Sequence, residues 1–233
     1  MREYFDVLKN VGLFEGIDAK DMESMLDCVS AEVKKFRKGS IILLTGDKPL
    51  YVGVVITGEL HITKEDIDGN RSMIAAVAPG QIFAEALCCA DITESPVTVT
   101  AGVSSSVMLL SFSRLLHTCP NSCAFHSRLI RNMLELIANK NLLLQNRMDI
   151  ISLKSVRAKV TRYLESFMQK QGREITIPFN REQLADYLCV ERSALSHELA
   201  RMKRDGLIDY RKNRFKMVRA EGLEPPRLFT TGT

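Results

Sequence analysis

Residues 180 to 207, NREQLADYLCVERSALSHELARMKRDGL, constrain the fold of this chain most, because they hold two short helical patterns with almost nothing between them. Asn180 and Gln183 form the pair that caps a helix reciprocally, and leucines at helical spacing follow them. This first helix is predicted to stop at Cys189. The second helix starts about two residues later and ends at Gly206, since glycine suits the left-handed residue that closes a helix. The stretch therefore predicts a helix-turn-helix.

The second helix is predicted to be amphipathic. Its apolar stripe comprises Leu195, Leu199 and Met202. The opposite face carries four polar residues near the N-terminus, namely Arg192, Ser193, Ser196 and His197. Arginine pairs bidentately with guanine, and serine and histidine bond to several bases, so these four are the candidate base-reading residues. The alternative is an ordinary helical hairpin with a solvated polar face.

A basic hairpin is predicted directly after this helix. Leu207–Tyr210 and Phe215–Val218 are short apolar runs, and the basic residues between them form the predicted tip. Such a wing beside a recognition helix holds DNA phosphates. We expect phosphate contacts from Lys212 and Arg214 in the wing and from Arg201 in the helix.

Charge is segregated along the chain. Residues 152–219 hold sixteen Lys and Arg against eight Asp and Glu, whereas residues 1–151 hold fifteen against eighteen. The net charge of the whole chain is only +4. The concentration of positive charge in one module predicts a polyanion, double-stranded DNA, as its partner.

The remaining composition is that of a globular protein. Hydrophobic residues make up 45% of the 233 residues, which is enough for real cores. The N-terminus carries charges where a signal peptide needs an apolar run, and no stretch is apolar enough for a membrane span. We therefore expect a cytoplasmic protein with no membrane partner. The six cysteines show no secreted disulfide framework and are interpreted as reduced thiols.

The first half of the chain predicts a β-roll after a short helical start. Eight short apolar segments lie between Val33 and Phe112, and turn signals such as Asp68-Gly69-Asn70 and Pro79-Gly80 separate them. Strands at this regular spacing indicate an antiparallel sandwich or barrel. The expected result is one roll of roughly eighty residues.

A long helix is predicted after Pro120. Two apolar stripes repeat every seven residues, one through Leu129, Leu136, Leu143 and Ile150, the other through Ile130, Ile137, Leu144 and Ile151. One stripe is expected to pack on the roll and the other on a partner helix, which predicts a homodimer. Asn132, Asn139 and Asn146 share this spacing and are placed within the seam or at its edge. The alternative is a long helix buried in a monomer.

The predicted fold class is α+β. Residues 1–119 form an N-terminal antiparallel β-roll of jelly-roll type, and residues 120–151 the dimerisation helix. Residues 152–219 form the winged helix-turn-helix, and residues 220–233 are predicted to be a disordered tail. A hinge is expected at residues 151–154.

Two motifs give this order of elements a resemblance to a known family. VERSALSHEL at residues 190–199 resembles the recognition helix of the Crp/Fnr family of bacterial transcription regulators, and PGQIFAEALCCADITESPVTVTA at residues 79–101 resembles the segment that cradles its effector. The resemblance implies a cyclic-nucleotide-binding-like roll and a homodimer that binds a palindromic promoter site. The resemblance is also compatible with RNA polymerase as a further partner. His197 departs from the arginine often found at its position.

The resemblance also places an effector pocket in the roll, at Ile82, Phe83, Glu85 and Ser95. Cyclic-nucleotide members carry an Arg-Ser pair for the cyclic phosphate where this chain has Ser95-Pro96. A buried phosphate without that arginine loses a charge-assisted interaction of about 1.5 to 3 kcal/mol. The substitution argues against cyclic AMP and leaves the effector, and any cofactor, unidentified.

Two alternative signals remain open. His117, Cys119, Cys123 and His126 form an H-x-C-x3-C-x2-H pattern that could bind zinc or iron, although such sites usually show C-x2-C spacing. Cys88 and Cys89 lie beside the pocket segment and could sense thiol oxidants. The commoner interpretation is that these residues are structural, and no metal site is predicted.

Other function classes have less support. An enzyme built on a roll needs two histidines and a carboxylate on neighbouring strands, and the roll has only His61 with Glu65 nearby. Neither a phosphate-binding loop nor a nucleophile elbow appears, so no catalytic residue is predicted. A non-enzymatic protein-interaction module, whose basic face binds acidic partners, is the remaining alternative.

Overall fold

The computed structural model describes residues 2–116 and 124–218. The chain divides into two compact units between Asn141 and Leu142, and each unit is described by itself. The predicted disordered tail, residues 220–233, lies outside the described residues. In the part of the chain that is described, no helix combines the length and the apolar character that a membrane crossing requires.

The N-terminal unit begins with short helices, as the sequence predicted. Helix α1 (Phe5–Leu8) is flanked by 3-10 turns, and α2 (Ala19–Cys28) follows them. The apolar side of α2 is fully buried. These helices therefore contribute to the main core of this unit, which also contains residues from the strands of the roll.

The predicted β-roll is confirmed as two four-stranded antiparallel sheets. One sheet has the strand order β1-β8-β3-β6 and the other β2-β7-β4-β5. The bounds are β1 Glu32–Phe36, β2 Ile41–Leu43, β3 Tyr51–Thr57, β4 Leu60–Glu65, β5 Arg71–Val77, β6 Ile82–Phe83, β7 Thr98–Ala101 and β8 Ser105–Ser111. Phe112, predicted to end the last strand, instead begins α4 (Phe112–Leu116), so the strand ends one residue earlier than expected.

A close contact inside the roll involves Phe83 and Gly53. A Cβ atom at Gly53 would lie 2.1 Å from the Phe83 ring, so only glycine permits this packing. Directly after Phe83 the backbone turns through Ala84, whose φ is +62°, and enters α3 (Glu85–Cys89). The predicted effector segment therefore includes a short helix that periodicity did not reveal.

Helix α5 (Ala124–Ile151) is the predicted long helix and contributes residues to both units. Leu129 and Met133 are buried in the N-terminal unit, whereas Ile150 is buried in the C-terminal unit. Between them, large apolar side chains are exposed in the single chain: Leu134, Leu142, Leu143, Leu144 and Met148. The two apolar stripes are thus only partly covered by the chain itself.

Asn132 does not have the role predicted for it in a helix seam. Its side chain is buried and its Nδ2 donates hydrogen bonds of 2.9 Å to the carbonyls of Leu13 and Glu15. These carbonyls belong to the N-terminal helical segment of the same chain. Asn132 therefore satisfies buried backbone acceptors within one subunit.

The C-terminal unit contains the predicted winged helix-turn-helix. Ser155 caps α6 (Val156–Gln171) by accepting a hydrogen bond from the backbone N–H of Ala158. The remaining elements are β9 Glu174–Thr176, α7 Arg181–Leu188, α8 Arg192–Arg204, β10 Ile208–Arg211 and β11 Arg214–Met217. The three strands form an antiparallel sheet in the order β10-β11-β9. Their apolar residues share one core with the three helices.

Candidate nucleic-acid interface and effector segment

The turn between α7 and α8 has the geometry that the sequence predicted. The Asn180 side chain accepts from the backbone N–H of Gln183, and the Gln183 side chain accepts from that of Asn180, both at 2.9 Å. Cys189 takes the left-handed conformation, with φ +51°, at the end of α7. Lys159 Nζ donates to the carbonyl of Leu188 at 3.1 Å and so satisfies one acceptor at that helix end. The connection between the helices is thereby fixed locally.

Helix α8 presents the predicted polar face to solvent. Leu195, Leu199 and Met202 are buried. The structure brings the four candidate base-reading residues together on the exposed side of the first two turns: Arg192, Ser193, Ser196 and His197. Ser196 Oγ donates to the carbonyl of Arg192 at 2.9 Å, so its hydroxyl oxygen keeps acceptor capacity for an N–H donor on a base edge.

Arg192 and Arg201, the two arginines of α8 that the sequence predicted to contact DNA, have different neighbours. Within residues 124–218, no carboxylate forms an ion pair with Arg192. Arg201 is exposed but lies 3.5 Å from Glu198, its Nη1 facing Oε2. Arg192 therefore keeps its full charge and all its donors for an external partner, while part of the charge of Arg201 is offset.

One residue that the sequence pattern did not reveal, Arg157, anchors α8 to α6. Arg157 donates from Nε to Glu198 and from Nη2 to Asp205, both at 2.6 Å. These hydrogen bonds raise the pKa of the Arg157 guanidinium. The two carboxylates belong to the middle and the end of α8. Arg157 therefore braces the face of α8 that does not carry the candidate base-reading residues.

The wing is shorter at its tip than predicted. Arg211 and Arg214 pair across the strands, so only Lys212 and Asn213 form the turn. Lys212 has φ +56° and an exposed side chain. Asn213 exchanges hydrogen bonds of 3.0 Å with Ile177, its side-chain N–H and its carbonyl both taking part. The tip is thereby held against the segment after β9, and Lys212 is exposed on a turn that is fixed in place.

Other basic residues near the wing already have partners. Lys203 lies 2.6 Å from Asp209, and Lys216 lies 3.6 Å from Glu174. The Asp209 carboxylate raises the pKa of Lys203. Arg214 is exposed and has no ion-pair partner in the described part of this unit. Among the described residues of this unit, the cations without a carboxylate partner are therefore fewer than the sequence count, and they include Arg192 and Arg214.

In the effector segment, the carboxylate of Glu85 is buried and paired within the chain. Glu85 is 5% exposed, and Lys140 Nζ on α5 donates to its Oε1 at 2.5 Å. Ser95 is also buried, and its hydroxyl donates to the carbonyl of Val97 at 2.8 Å. The polar groups of Glu85 and Ser95 therefore both have partners inside the protein.

The two apolar members of the predicted pocket are buried in different clusters. Ile82 packs in the main core of the N-terminal unit, and Phe83 packs in the interior of the roll with Val55 and Val107. Ile82, Phe83 and Glu85 thus lie on one short segment, but each side chain has a different set of neighbours. Sequence analysis did not find Lys140, because 55 residues separate it from Glu85.

The thiols in this segment are not activated. Burial raises the pKa of Cys88 to about 12, and the neighbouring Cys89 and Glu85 add to the effect. The Cys88 thiol lies 3.5 Å from the carbonyls of Pro49 and Tyr51, which accept a hydrogen bond from it. Burial also raises the pKa of Cys89. Both cysteines are therefore protonated near neutral pH and are poor nucleophiles.

Only one member of the candidate metal pattern can be placed. His126 is buried, with Nδ1 at 3.8 Å from Cys28 Sγ and Nε2 at 3.2 Å from the carbonyl of Arg114. His117, Cys119 and Cys123 lie outside the described residues. Among residues 2–116 and 124–218, no group of three or more His, Cys, Asp or Glu is arranged to hold a metal ion.

Two family models match this chain in separate regions. The cyclic nucleotide-binding domain matches residues 33–120, and the Crp-like helix-turn-helix domain matches residues 158–225. The first region contains the two sheets of the roll and the second contains α7, α8 and the wing. The comparisons thus agree with the order of domains that the resemblance implied.

Three similar proteins span most of the chain. The transcriptional activator protein FnrL of Cereibacter sphaeroides is 23% identical, over 79% of this chain and 75% of its own. The probable transcriptional regulator flp of Lacticaseibacillus casei is 24% identical, over 92% and 94%. The crystal structure of DNR from Pseudomonas aeruginosa shares the fold at a TM-score of 0.52 with 18% identity, over 95% of this chain and 96% of that one.

Proposed function

The chain belongs to the Crp/Fnr family of transcription regulators, and from this premise we propose that it is a homodimeric, sequence-specific DNA-binding protein whose roll responds to an effector other than cyclic AMP. The observation that carries the proposal is the exposed polar face on the first two turns of α8. Arg192 stands there without an ion-pair partner in the described unit, while the buried face of the same helix fixes its direction. An unpaired guanidinium on a rigid helix is suited to bidentate readout of guanine.

The helix α8 and the wing are proposed to make different contacts with DNA. Arg192, Ser193, Ser196 and His197 read bases, because they lie together on the exposed side of α8. Lys212, Arg214 and Arg201 contact phosphates, which gives affinity and register but carries no direct sequence information. His197 supports one or two hydrogen bonds where many relatives present an arginine fork, so the target half-site differs at that position.

The homodimer is proposed from the exposed apolar residues of α5. Leu142, Leu143 and Leu144 are each more than half exposed in the single chain. A second copy of α5 packing on them removes this surface from water and places two recognition helices about a two-fold axis. That arrangement matches a palindromic site. Contact with RNA polymerase is part of the same proposal, and the location is the cytoplasm, where promoter DNA is found.

The effector is proposed to differ from cyclic AMP for two reasons. Ser95 and Pro96 supply no positive charge for a cyclic phosphate, and the Ser95 hydroxyl is already bonded to Val97. Glu85, at the ribose position, is paired with Lys140. An effector that displaces Lys140 from Glu85 changes the contacts of α5 with the roll, and it shifts the DNA-binding state by its differential affinity for the two arrangements. The roll is proposed to act without catalysis.

A selection experiment tests the DNA-binding proposal directly. The full chain is incubated with random duplexes, and the bound sequences are recovered and read. We expect an inverted repeat whose half-sites carry guanine at one strongly selected position, and the same selection with Arg192→Ala should lose that position. Recovery of sequences without a shared motif would instead favour a module that binds acidic proteins through its basic face.

A further inference from the structure

Arg181, the first residue of α7, is a partly buried cation that contacts aromatic rings instead of a carboxylate. Its guanidinium carbon lies 5.1 Å from the ring centre of Tyr210 on β10 and 6.0 Å from that of Phe215 on β11. The two rings stack on each other, with their centroids 5.7 Å apart. In the part of the chain that the structure describes, Arg181 has no ion pair and its guanidinium donates no hydrogen bond.

This environment differs from that of Arg157, whose guanidinium is held by two carboxylates. Burial lowers the pKa of the Arg181 guanidinium, because a desolvated cation loses hydration energy. The ring faces compensate part of that loss, but they supply no hydrogen-bonded oxygen to its N–H groups. None of its nitrogens is both buried and unpaired, so among the described residues these donors stay open to solvent. Arg181 therefore holds an oriented fork of N–H donors that an external acceptor can reach.

A groove beside Arg181 has room for an anion. Its volume is about 520 Å³, and Arg181 lines it together with Lys212 and Asn213 of the wing tip. Asn213 is bonded to Ile177 through its side chain and its carbonyl, so the turn that carries Lys212 is held in place. Lys212 also has no ion-pair partner in residues 124–218. Two unpaired cations from different elements thus border one groove.

The anion that fits this pair best is a phosphate of the DNA backbone. A phosphate offers two oxygens to a guanidinium fork, and its charge suits a nearby ammonium group. Helix α7 directly precedes α8, and the first helix of a helix-turn-helix crosses the backbone when the second enters the major groove. Given the proposed DNA-binding function, on which this role rests, we propose that the stacked rings of Tyr210 and Phe215 position Arg181 to bind a backbone phosphate.

The wing then contributes to DNA binding in two ways. Lys212 contacts phosphate directly, whereas Tyr210 touches no DNA and acts through Arg181. Tyr210 is therefore a positioning residue, and its ring should matter for affinity only while Arg181 is present. That dependence distinguishes positioning from a general role of Tyr210 in the stability of the wing.

Arg181→Ala tests the phosphate contact in the full chain. Fluorescence anisotropy at several salt concentrations gives the affinity for the selected palindrome and for a random duplex. Affinity should fall by about five- to tenfold on both duplexes, because a phosphate contact carries no direct sequence information. The slope of log affinity against log salt should decrease by about 0.9.

Arg173→Ala is the matched control for the lost charge. Arg173 is exposed and directly precedes β9, and the register of β9 with β11 places it at the end of the sheet away from the wing tip. Its replacement should leave the salt slope near that of the unaltered chain. A loss equal to that of Arg181→Ala would show that only the net charge of the module matters.

A double-mutant cycle tests the positioning role. Tyr210→Leu removes the ring and should weaken DNA binding about threefold in the unaltered chain, but less than about 1.5-fold in the Arg181→Ala chain. Tyr210→Phe keeps the ring and should bind like the unaltered chain. Thermal unfolding confirms that each variant is folded. If Tyr210→Leu unfolds, Arg181→Lys gives a second test, because an ammonium keeps the charge but lacks the planar fork; binding equal to that of the unaltered chain would contradict the role of stacking.

The outcomes separate this role from the DNA-binding function itself. Unchanged affinity and slope in Arg181→Ala, while Arg192→Ala still loses its selected guanine, would overturn the phosphate contact and leave DNA binding intact. Equal losses from Tyr210→Leu with and without Arg181 would show that the ring is only structural. Calorimetry with inorganic phosphate covers the remaining source of the anion: saturable binding that Arg181→Ala removes, without any change on DNA, would assign the groove to a free anion. If the unaltered chain bound neither duplex, both proposals would fail.

Discussion

The start of α8 and the effector segment of the roll each carry a charged side chain that the sequence predicted to bind a partner, but the two side chains have opposite environments in the folded chain. Arg192 is exposed, and no ion-pair partner is found for it in residues 124–218. Glu85 is 5% exposed and is bonded to Lys140 at 2.5 Å. One position keeps its charge for a partner outside the chain, whereas the other already has its partner inside.

This difference between Arg192 and Glu85 matches the different roles proposed for them, which are DNA recognition for Arg192 and response to a signal for Glu85. A solvated arginine on a rigid helix costs little when unbound, so it can remain ready for DNA. A buried carboxylate cannot remain uncompensated, because the desolvation of an unpaired charge is strongly unfavourable. Lys140 therefore compensates the charge of Glu85 within the chain. Any signal acting at this position must replace the Lys140 contact or leave it in place.

The largest effect is expected for Arg192→Ala. Without its bidentate base contact, binding to the selected palindrome should weaken by about 1 to 3 kcal/mol for each half-site. Binding to random DNA should change far less, and the free energy of unfolding should stay the same. Fluorescence anisotropy with specific and random duplexes measures both affinities.

Arg204→Ala is the matched control for that experiment. Arg204 is exposed at the far end of the same helix, and its replacement changes the net charge by the same amount. We expect a small decrease in affinity that is equal on both duplexes. If Arg192→Ala also weakened both duplexes equally, Arg192 would be a phosphate contact, and the base-reading role assigned to it would be wrong.

The next effect in size concerns stability, through the Glu85–Lys140 pair. Lys140→Met should lower the free energy of unfolding by about 1 to 3 kcal/mol, because it leaves a buried carboxylate without its donor. Glu85→Gln should lower the free energy of unfolding by a smaller amount, because the Lys140 side chain is 48% exposed and water can solvate its ammonium group. The double variant should resemble Glu85→Gln. Urea unfolding followed by circular dichroism measures the free energy of unfolding of each variant. Equal losses in Lys140→Met and Glu85→Gln would contradict the expectation that losing the lysine is more harmful than losing the carboxylate.

The sequence predicted structural features that depend on residues close together in the chain. It did not predict contacts between residues that are far apart in the chain. The capping pair at Asn180 and Gln183, the left-handed end of α7 at Cys189 and the periodic strands of the roll are local properties, and they are confirmed. Lys140 and Glu85 are 55 residues apart, and no local rule joins them. Asn132 was misjudged for the same reason, because its acceptors in the N-terminal segment lie 119 and 117 residues away.

The exposed polar face of α8 could be predicted because an amphipathic helix separates its faces by periodicity alone. The charge available for DNA could not, because it depends on which cations are already paired. Arg157, Lys203 and Lys216 all count toward the positive charge of residues 152–219, yet each lies against a carboxylate in the folded chain. A charge count therefore overestimates the electrostatic footprint of this module.

A smaller effect is expected when the brace behind α8 is removed. Arg157→Ala deletes the hydrogen bonds that hold Glu198 and Asp205, and it should lower the free energy of unfolding by about 1 to 2 kcal/mol, because the guanidinium is partly solvated. The selected DNA sequence should be unchanged, since no base-reading residue is touched. Arg157→Lys should recover only part of the stability, because an ammonium group lacks the fork that spans two carboxylates. A changed half-site preference in Arg157→Ala would show that the brace also sets the direction of α8.

The smallest effect, and the one that tests the paired and unpaired cations most directly, is the salt dependence of DNA binding in two lysine variants. Lys212 is exposed at the wing tip, so Lys212→Ala should reduce the slope of log affinity against log salt by about 0.9 for each phosphate that the lysine neutralises. Affinity at physiological salt should fall by less than about 1 kcal/mol, equally on specific and random duplexes. Lys203→Ala removes the same charge nearby, but Lys203 lies 2.6 Å from Asp209. Its slope should stay near that of the unaltered chain, because the lysine was already neutralised within the protein. An equal change of slope in both variants would mean that Lys203 exchanges Asp209 for phosphate on binding, and the distinction between paired and unpaired cations would then fail for the wing.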